Sequence, residues 1–481
     1  LPSISSCAHA TYPSMSNALG VLARGARSVS TSPPGGLTCA EFKKIYLPRP
    51  RRLSLPRHRT TAACTPTDAA SPSTSSASNN VAVAHSDVNP ATSSPPLTSS
   101  AATSSPTTTS RRPSACVVGA GVVGLSVAVR LLEAGFDVAV TSADDGRDDV
   151  LVSHGAGGFW FPYLVEPIAR ASVWAADTYL EFVRMLEHPN ALEIDLGGVG
   201  DPGLEVQEQG SGGVGIQMRD VFLFDDLPER PPRPAWAPTS LRDLTPEELS
   251  CVNVPATGGW TFGAPVVQMP RYLAYLRRRV ARCGGTFQRG RLATLADAQP
   301  RDADVVVNCA GLGNAAEQGR LETDAACYPI RGQVVRALAP NLHAVYLAEL
   351  ANGFSCYAIP RGDFAIFGGT HEEGEWDETP DEQVAAKILA NVRAMLPESV
   401  MEGAEVVGHW SGLRPGRRGG CRLEIGQDSD RLGRPIVHCY GHGGAGVTCS
   451  WGCADEVVVL AQKAVATPML PSTSRSEPRA H

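Results

Sequence analysis

The sequence predicts an α/β protein in which a doubly wound, Rossmann-like domain is interleaved with a mixed-sheet α+β domain. Three observations predict it. An apolar run, Ala115–Val118, leads into the glycine turn Gly119-Ala120-Gly121-Val122-Val123-Gly124 and then a helix-compatible stretch through Leu132. Asp304–Asn308 has an all-apolar centre, reads as a buried strand and ends in Cys309-Ala310-Gly311. Near the C-terminus, Tyr440-Gly441-His442-Gly443-Gly444-Ala445-Gly446 is a second glycine turn, and it opens an apolar helical run through Trp451 and Ala454 to Leu460.

The elements between follow in order. Asp137–Thr141 is a second strand, completing a βαβ start. From Gly197 to Pro265 the chain alternates as strands do, broken by Pro and Gly turns. Pro270–Cys283 reads as a basic amphipathic helix. Strands are expected at Gln333–Leu338, Tyr357–Pro360 and Phe364–Phe367, then a helix over Asp381–Met395. The doubly wound signature therefore occupies mainly 114–170, 300–325 and 430–463. The intervening 175–295 and 326–428 look antiparallel and are assigned to the second domain.

The 481-residue chain is 43% hydrophobic, enough for a sizeable core in a body spanning 114–463. Residues 1–113 hold eleven Lys/Arg against three Asp/Glu, a net +8, so the remainder must carry −15 to give the overall −7. A body that acidic argues against nucleic acid or an anionic membrane surface as partner. The longest apolar stretch, Ala115–Val129, has 15 residues including three glycines. It is too short and too broken to span a bilayer, so no stable membrane insertion is expected. The 13 cysteines contain no C-x-x-C pair, and their odd number and scatter point to reduced thiols, with no disulfide framework and no metal site.

The arm, 1–113, is rich in Ser, Thr, Pro and Ala and is expected to be disordered. Its Arg- and Ser-rich, acid-poor composition is that of a chloroplast or mitochondrial transit peptide. A low-complexity tail or misassigned start stays open as the alternative. The tail, 464–481, does not end in a Ser-Lys-Leu-type address, which leaves a peroxisomal destination without its signal.

Gly119-x-Gly121-x-x-Gly124 lies between a strand and a helix, the context that gives this spacing meaning. Gly119 permits the tight turn, Gly121 lets a pyrophosphate approach the backbone, and Gly124 lets helix and strand pack closely. Asp144 and Asp145 are candidates for a ribose hydroxyl and are equally ordinary loop acids. The first turn does not separate FAD from NAD. The second favours FAD, because a glycine turn at a helix N-terminus can place bare N–H groups against the polar edge of a flavin ring.

At this level of detail the body resembles the D-amino-acid oxidase family, which includes D-aspartate oxidase. The matching stretches are Val117–Ser126, Gly158-Phe159-Trp160-Phe161-Pro162-Tyr163, Val306–Gly311, Arg331-Gly332-Gln333, Gly412-Leu413-Arg414-Pro415, and Tyr440–Gly446 with Trp451-Gly452-Cys453-Ala454. They keep the family's order and cover 114 to 463, with Cys439 standing where Asn is usual. The resemblance implies an FAD-binding domain and a substrate domain. FAD would be held by Gly119, Ala120, Gly121, Val122, Val123, Gly124, Asp144, Gly158, Phe159, Gly443, Gly444, Gly446, Val447 and Thr448. It also implies that Arg414 binds the substrate carboxylate, that Tyr357 adds a hydroxyl bond to it, and that the Gly444 carbonyl accepts from the amine. Hydride would pass from Cα of a D-amino acid to the flavin, and O₂ would reoxidise it to give hydrogen peroxide. His442, inside a glycine turn, is expected to make a structural hydrogen bond. A homodimer is compatible with the family.

Two departures limit the carry-over. Gly353 stands where these oxidases often have a second tyrosine, so the lid should differ. His371 stands where D-aspartate oxidases carry an extra arginine, and they tend to have serine at the position of Gly444. Neutral D-amino acids are therefore favoured over acidic ones. The alternatives are D-aspartate oxidase, a glycine- or sarcosine-type amine oxidase, and an inactive flavin-binding module.

Overall fold

The computed structural model describes residues 111–466, apart from 144–151, 164, 188–213, 230, 319–320, 322, 363 and 427–432. The expectations for Asp144 and Asp145, for residues 1–110, and for most of the alternating stretch before 214 lie outside the described residues.

Burial along the strands separates two sheets. The first has the order β14 (Arg422–Ile425), β15 (Ile436–Tyr440), β7 (Val305–Asn308), β1 (Ser114–Val118), β2 (Asp137–Ser142) and β6 (Thr286–Arg289), with exposed positions on the two edge strands. Its four inner strands are almost wholly buried, as a parallel sheet between helix layers must be. All neighbours are parallel except β14 on β15. Five main helices accompany the strands: α1 (Val122–Glu133), α2 (Ile168–Glu187), α3 (Met269–Arg282), α4 (Glu382–Met395) and α5 (Gly446–Ala466). α5 runs three residues into the segment read as polar tail, to Ala466.

Among the described residues the second sheet has nine strands. Eight follow the order β12 (Glu372–Glu373), β8 (Cys327–Leu338), β11 (Phe364–Gly368), β10 (Ser355–Arg361), β9 (Val345–Glu349), β3 (Ile216–Asp225), β5 (Gly258–Val267) and β4 (Arg242–Asp243); the ninth, β13 (Glu405–Arg417), pairs β8 along its length. It is antiparallel except where β3 meets β9, so it is a mixed sheet. One face joins the core of the first sheet through Val334, Leu347, Ile359 and Ile366. The other is covered by α4, whose Ala385, Ile388, Val392 and Met395 pack on Val335, Ala358 and Phe367. Asp381 caps α4 by accepting from the N–H groups of Gln383 and Val384.

The structure corrects one boundary. Of the stretch 175–295, assigned from sequence to the second domain, only β3, β4 and β5 pair there. β6 pairs β2, and α2 and α3 pack on α5 and α1. α2 shows why: Ala171, Trp174, Ala175, Thr178, Phe182 and Met185 recur at three- and four-residue spacing and are all buried.

The helices meet around Trp451 of α5. Its indole N–H donates to the Tyr272 hydroxyl of α3 at 2.8 Å, and the Arg130 guanidinium of α1 lies 4.5 Å above its ring. Arg130 also pairs with Glu133, Glu181 and Asp455 at 2.8, 3.1 and 2.8 Å. Burial pushes the Glu181 carboxyl up, but bonds from Arg184 and Arg130 outweigh it and hold the group below the usual range. The Thr178 hydroxyl accepts from the N–H groups of Trp451 and Gly452, each at 3.1 Å. At this crossing a Cβ on Gly452 would lie 2.3 Å from Trp174 Cα. Gly452→Ala should therefore force α2 and α5 apart and cost about 2–3 kcal/mol. A lowered urea midpoint at unchanged m is the expected result; an unchanged midpoint would contradict this packing.

Candidate active site

Between the sheets lies a cavity of about 980 Å³. Its first end is the turn between β1 and α1. The Gly119 N–H donates to the Thr141 carbonyl at 2.8 Å, and Gly119 holds φ +110°, where a Cβ would sit 2.5 Å from the Cys309 oxygen. A Cβ on Gly124 would lie 1.9 Å from the Gly119 oxygen, so helix and turn can touch only because both positions are bare. The α1 N-terminus has no side-chain cap of its own and no acid in its first turn. Ser153, from the helical turn Val152–Gly155, supplies an acceptor for the Val122 N–H at 3.1 Å. The positive end of α1 is thus presented to the cavity, as an anion site requires.

Gly119 through Gly124, Gly158, Phe159, Gly443, Gly444, Gly446 and Val447 all line this cavity, together with Thr141 and Ser142 at the end of β2 and Ala143 after it. The structure does not place Thr448 on the wall. Its hydroxyl donates to the Phe161 carbonyl at 2.9 Å and accepts from the Phe161 N–H at 3.1 Å, pinning the 158–163 loop from behind. Arg361 holds the segment just before this loop from the second sheet, donating to the carbonyls of His154 and Ala156. His442 belongs to the lining, but its Nε2 faces a buried group of cysteine sulfurs, with Cys421 Sγ at 3.3 Å.

The second end is built on β8 and β13. Alternation along β8 puts Arg331 and Gln333 on one face and Gly332 on the other. Arg331 donates to Glu372 at 2.6 Å and to the Thr379 carbonyl at 2.7 Å, while Gln333 exchanges bonds with the Asp381 backbone. Both side chains latch the 370–381 segment. On the opposite face Arg414 lies across Gly332, where a Cβ would come 2.2 Å from its Nη1, and donates to the Thr370 carbonyl at 3.1 Å. Tyr357 of β10 crosses Gly368 and Gly369 in the same way and reaches the Arg414 guanidinium.

Burial pushes the Tyr357 hydroxyl up against the opposing pull of Arg414, and does the same to Tyr163. Both remain O–H donors at neutral pH. The sequence does not single out Tyr163, although it ends the Gly158–Tyr163 stretch; its ring packs where a Cβ on Gly444 would be, 2.8 Å from Cδ1. Trp410 is a second such residue, its indole lying over Gly155 and Gly412 and lining the cavity. Gly353, by contrast, sits in an exposed turn at φ +86° and does not line it. His371 meets Tyr163 edge-on at 6.5 Å and Glu373 at 3.4 Å, and burial with the nearby Arg414 holds its pKa below the usual histidine range despite Glu373.

A dinucleotide turn at one end, a second helix-opening glycine turn along the wall and an arginine–tyrosine pair at the other end together define a flavin-dependent oxidoreductase. Residues 114–460 match the DAO family model of FAD-dependent oxidoreductases, and the chain belongs to that family. It is 38% identical over 355 residues to a D-amino-acid oxidase of Rubrobacter xylanophilus, covering 73% of this chain and 96% of that protein. It is 37% identical to a D-amino-acid oxidase of Streptomyces coelicolor over 72% of this chain and 95% of that one. Human D-aspartate oxidase is 31% identical, with 73% and 94% covered. In fold it is similar to glycine oxidase from Geobacillus kaustophilus, at a TM-score of 0.55 and 20% identity over 73% of this chain and 94% of that chain.

FAD is the family's cofactor, and the bare backbone at Gly119, Gly121 and Gly124, at an α1 terminus whose N-cap Gly121 carries no side chain, fits its pyrophosphate. Among the described residues no helix is long and apolar enough to cross a membrane. Gly119→Ala should weaken FAD binding by about tenfold or more, since the new Cβ strains the turn and displaces Cys309. Flavin content after gel filtration checks this; full occupancy in the variant would refute it.

Proposed function

We propose that this protein oxidises D-amino acids with FAD, preferring neutral side chains, with O₂ as final acceptor and hydrogen peroxide as product. The observation that carries the reading is Arg414, oriented by Thr370 and Gly332, facing the Tyr357 hydroxyl beside the Gly443–Gly446 wall. A guanidinium held this way offers two parallel N–H donors to a carboxylate, and Tyr357 adds a third bond. The Gly444 carbonyl is suited to accept from the amine. Fixing carboxylate and amine leaves one enantiomer able to turn its Cα–H to the glycine wall. FAD bound there supplies a two-electron acceptor for the Cα hydride.

No side chain need act as general base. His442 faces sulfur atoms, and His371 is engaged by Glu373. The imino acid would leave and hydrolyse to the 2-oxo acid and ammonia. The preference for neutral side chains rests on His371, which is uncharged at neutral pH, and on Glu378 at the exposed part of the cavity lining.

Arg414→Ala should lower kcat/KM for D-alanine by about 100-fold or more, with Arg414→Lys recovering only part of it, because an ammonium cannot make the forked pair. Unchanged turnover in Arg414→Ala would sink the carboxylate assignment. A panel of D-alanine, D-aspartate, D-arginine, glycine and L-alanine under anaerobic conditions, read by flavin bleaching, tests the substrate class.

The depressed pKa of His371 gives a pH signature. Burial, with the Arg414 charge, keeps the imidazole neutral through the usual histidine range, so it gains its charge only in more acid solution than an ordinary histidine does. The ratio of kcat/KM for D-aspartate over D-alanine should therefore be flat from about pH 7 to 9, at about 0.1 or less, and rise only in acid. A rise centred near pH 7 would contradict this.

A further inference from the structure

Behind the Tyr440–Gly446 turn, four segments converge on one imidazole nitrogen. Cys421 precedes β14, Cys439 lies in β15, His442 is in the turn, and Cys453 is in α5. The Sγ atoms of Cys421, Cys439 and Cys453 lie 3.3, 4.0 and 3.4 Å from His442 Nε2, in that order. The donor atoms of Cys439, His442 and Cys453 are all within 4.8 Å of one another, and Cys421 joins them through its 3.3 Å contact with His442, from which a shared cation would draw its sulfur inward. All four residues are buried, none more than 5% exposed.

Isolated buried cysteines behave as small apolar residues, and one thiol beside a histidine is ordinary packing. Three sulfurs around one nitrogen are different. Nε2 has either one proton or one lone pair, so it can pair with only one of them at a time. A cation bonded to all four satisfies every donor at once. Bond lengths of ~2.3 Å to sulfur and ~2.0 Å to nitrogen give a tetrahedral S···N edge of ~3.5 Å, and the three observed separations bracket it. The group contains no carboxylate, which disfavours magnesium and calcium and favours a thiophilic ion.

We propose that Cys421, Cys439, His442 and Cys453 form a closed structural site for zinc. Four protein ligands leave no open position, so the site takes no substrate. Its effect is to tie β15, α5 and the start of β14 to the turn whose other face lines the cavity. The ligands span residues 421 to 453 with no C-x-x-C spacing, which is why the cysteine pattern gives no sign of a site.

The test is the zinc content of the full chain with FAD bound, produced in zinc-supplemented medium, stripped of loose metal by gel filtration over a weak chelator, and read by mass spectrometry of the metal. About one zinc per chain is expected, falling at least fivefold in Cys453→Ser and unchanged in Cys251→Ser, a substitution at an exposed thiol. X-ray absorption at the zinc edge of the unmodified protein should show sulfur at ~2.3 Å and one nitrogen at ~2.0 Å. This reading stands even if Cys453→Ser fails to fold. Zinc-free protein, a zinc shell of oxygen and nitrogen alone, zinc retained in a folded Cys453→Ser, or a disulfide among these cysteines would overturn the proposal.

Discussion

Missing Cβ atoms decide where this protein can have an interior space. Protein interiors pack to crystal density, so a cavity long enough for a dinucleotide and a substrate needs places where backbone replaces side chain. Gly124 lets α1 touch the first turn, Gly332 gives the Arg414 guanidinium its bed, Gly368 does the same for Tyr357, and Gly444 for Tyr163. In each case a methyl group would overlap a neighbour below 3 Å. The charged and aromatic groups of the site hold their positions because these glycines leave one arrangement sterically open to them.

The two sheets divide the work. The parallel sheet is buried on both faces and carries its function in the turns beyond its strand ends, where helix termini supply polarity without side chains. The mixed sheet carries function on a strand face. β8 shows this in three residues: Arg331 and Gln333 tie down the 370–381 segment, while the intervening glycine opens the opposite face to Arg414. Alternation along one strand thus couples the cover of the site to its anchoring cation.

Much of this is legible in the sequence wherever local chemistry determines structure. Strand, glycine spacing and helix follow one another around 114–133, and Arg414 with Tyr357 can be named by resemblance. The boundary at 175–295 is not legible, because strand patterning does not say which sheet a strand will join; β6 has only four residues and pairs β2 although α2, β3, β4, β5 and α3 lie between them in the chain. α2 is legible in principle, since its apolar spacing is regular, yet the sequence reading assigns no helix there. Tyr163 and Trp410 need tertiary contacts to be recognised, as neither has a local signal beyond its neighbouring motif. Thr448 follows a functional turn in sequence, but one residue past Val447 its side chain is already directed into the packing behind the wall. The sulfur–imidazole group is hidden for the same reason, its members meeting only when β14, β15 and α5 come together.

The position of β15 sets an order of events during synthesis. β15 lies between β7 and β14 in the first sheet, and α5 packs on α1, more than 300 residues earlier in the chain. A ribosome-bound chain that has already made β1, β2 and β7 still exposes the β7 edge and the apolar flank of α1. Pairing over such separations is slow, and open edges of this kind invite association with other chains. The β7 edge and the apolar flank of α1 are therefore covered only once β15 and α5 have emerged.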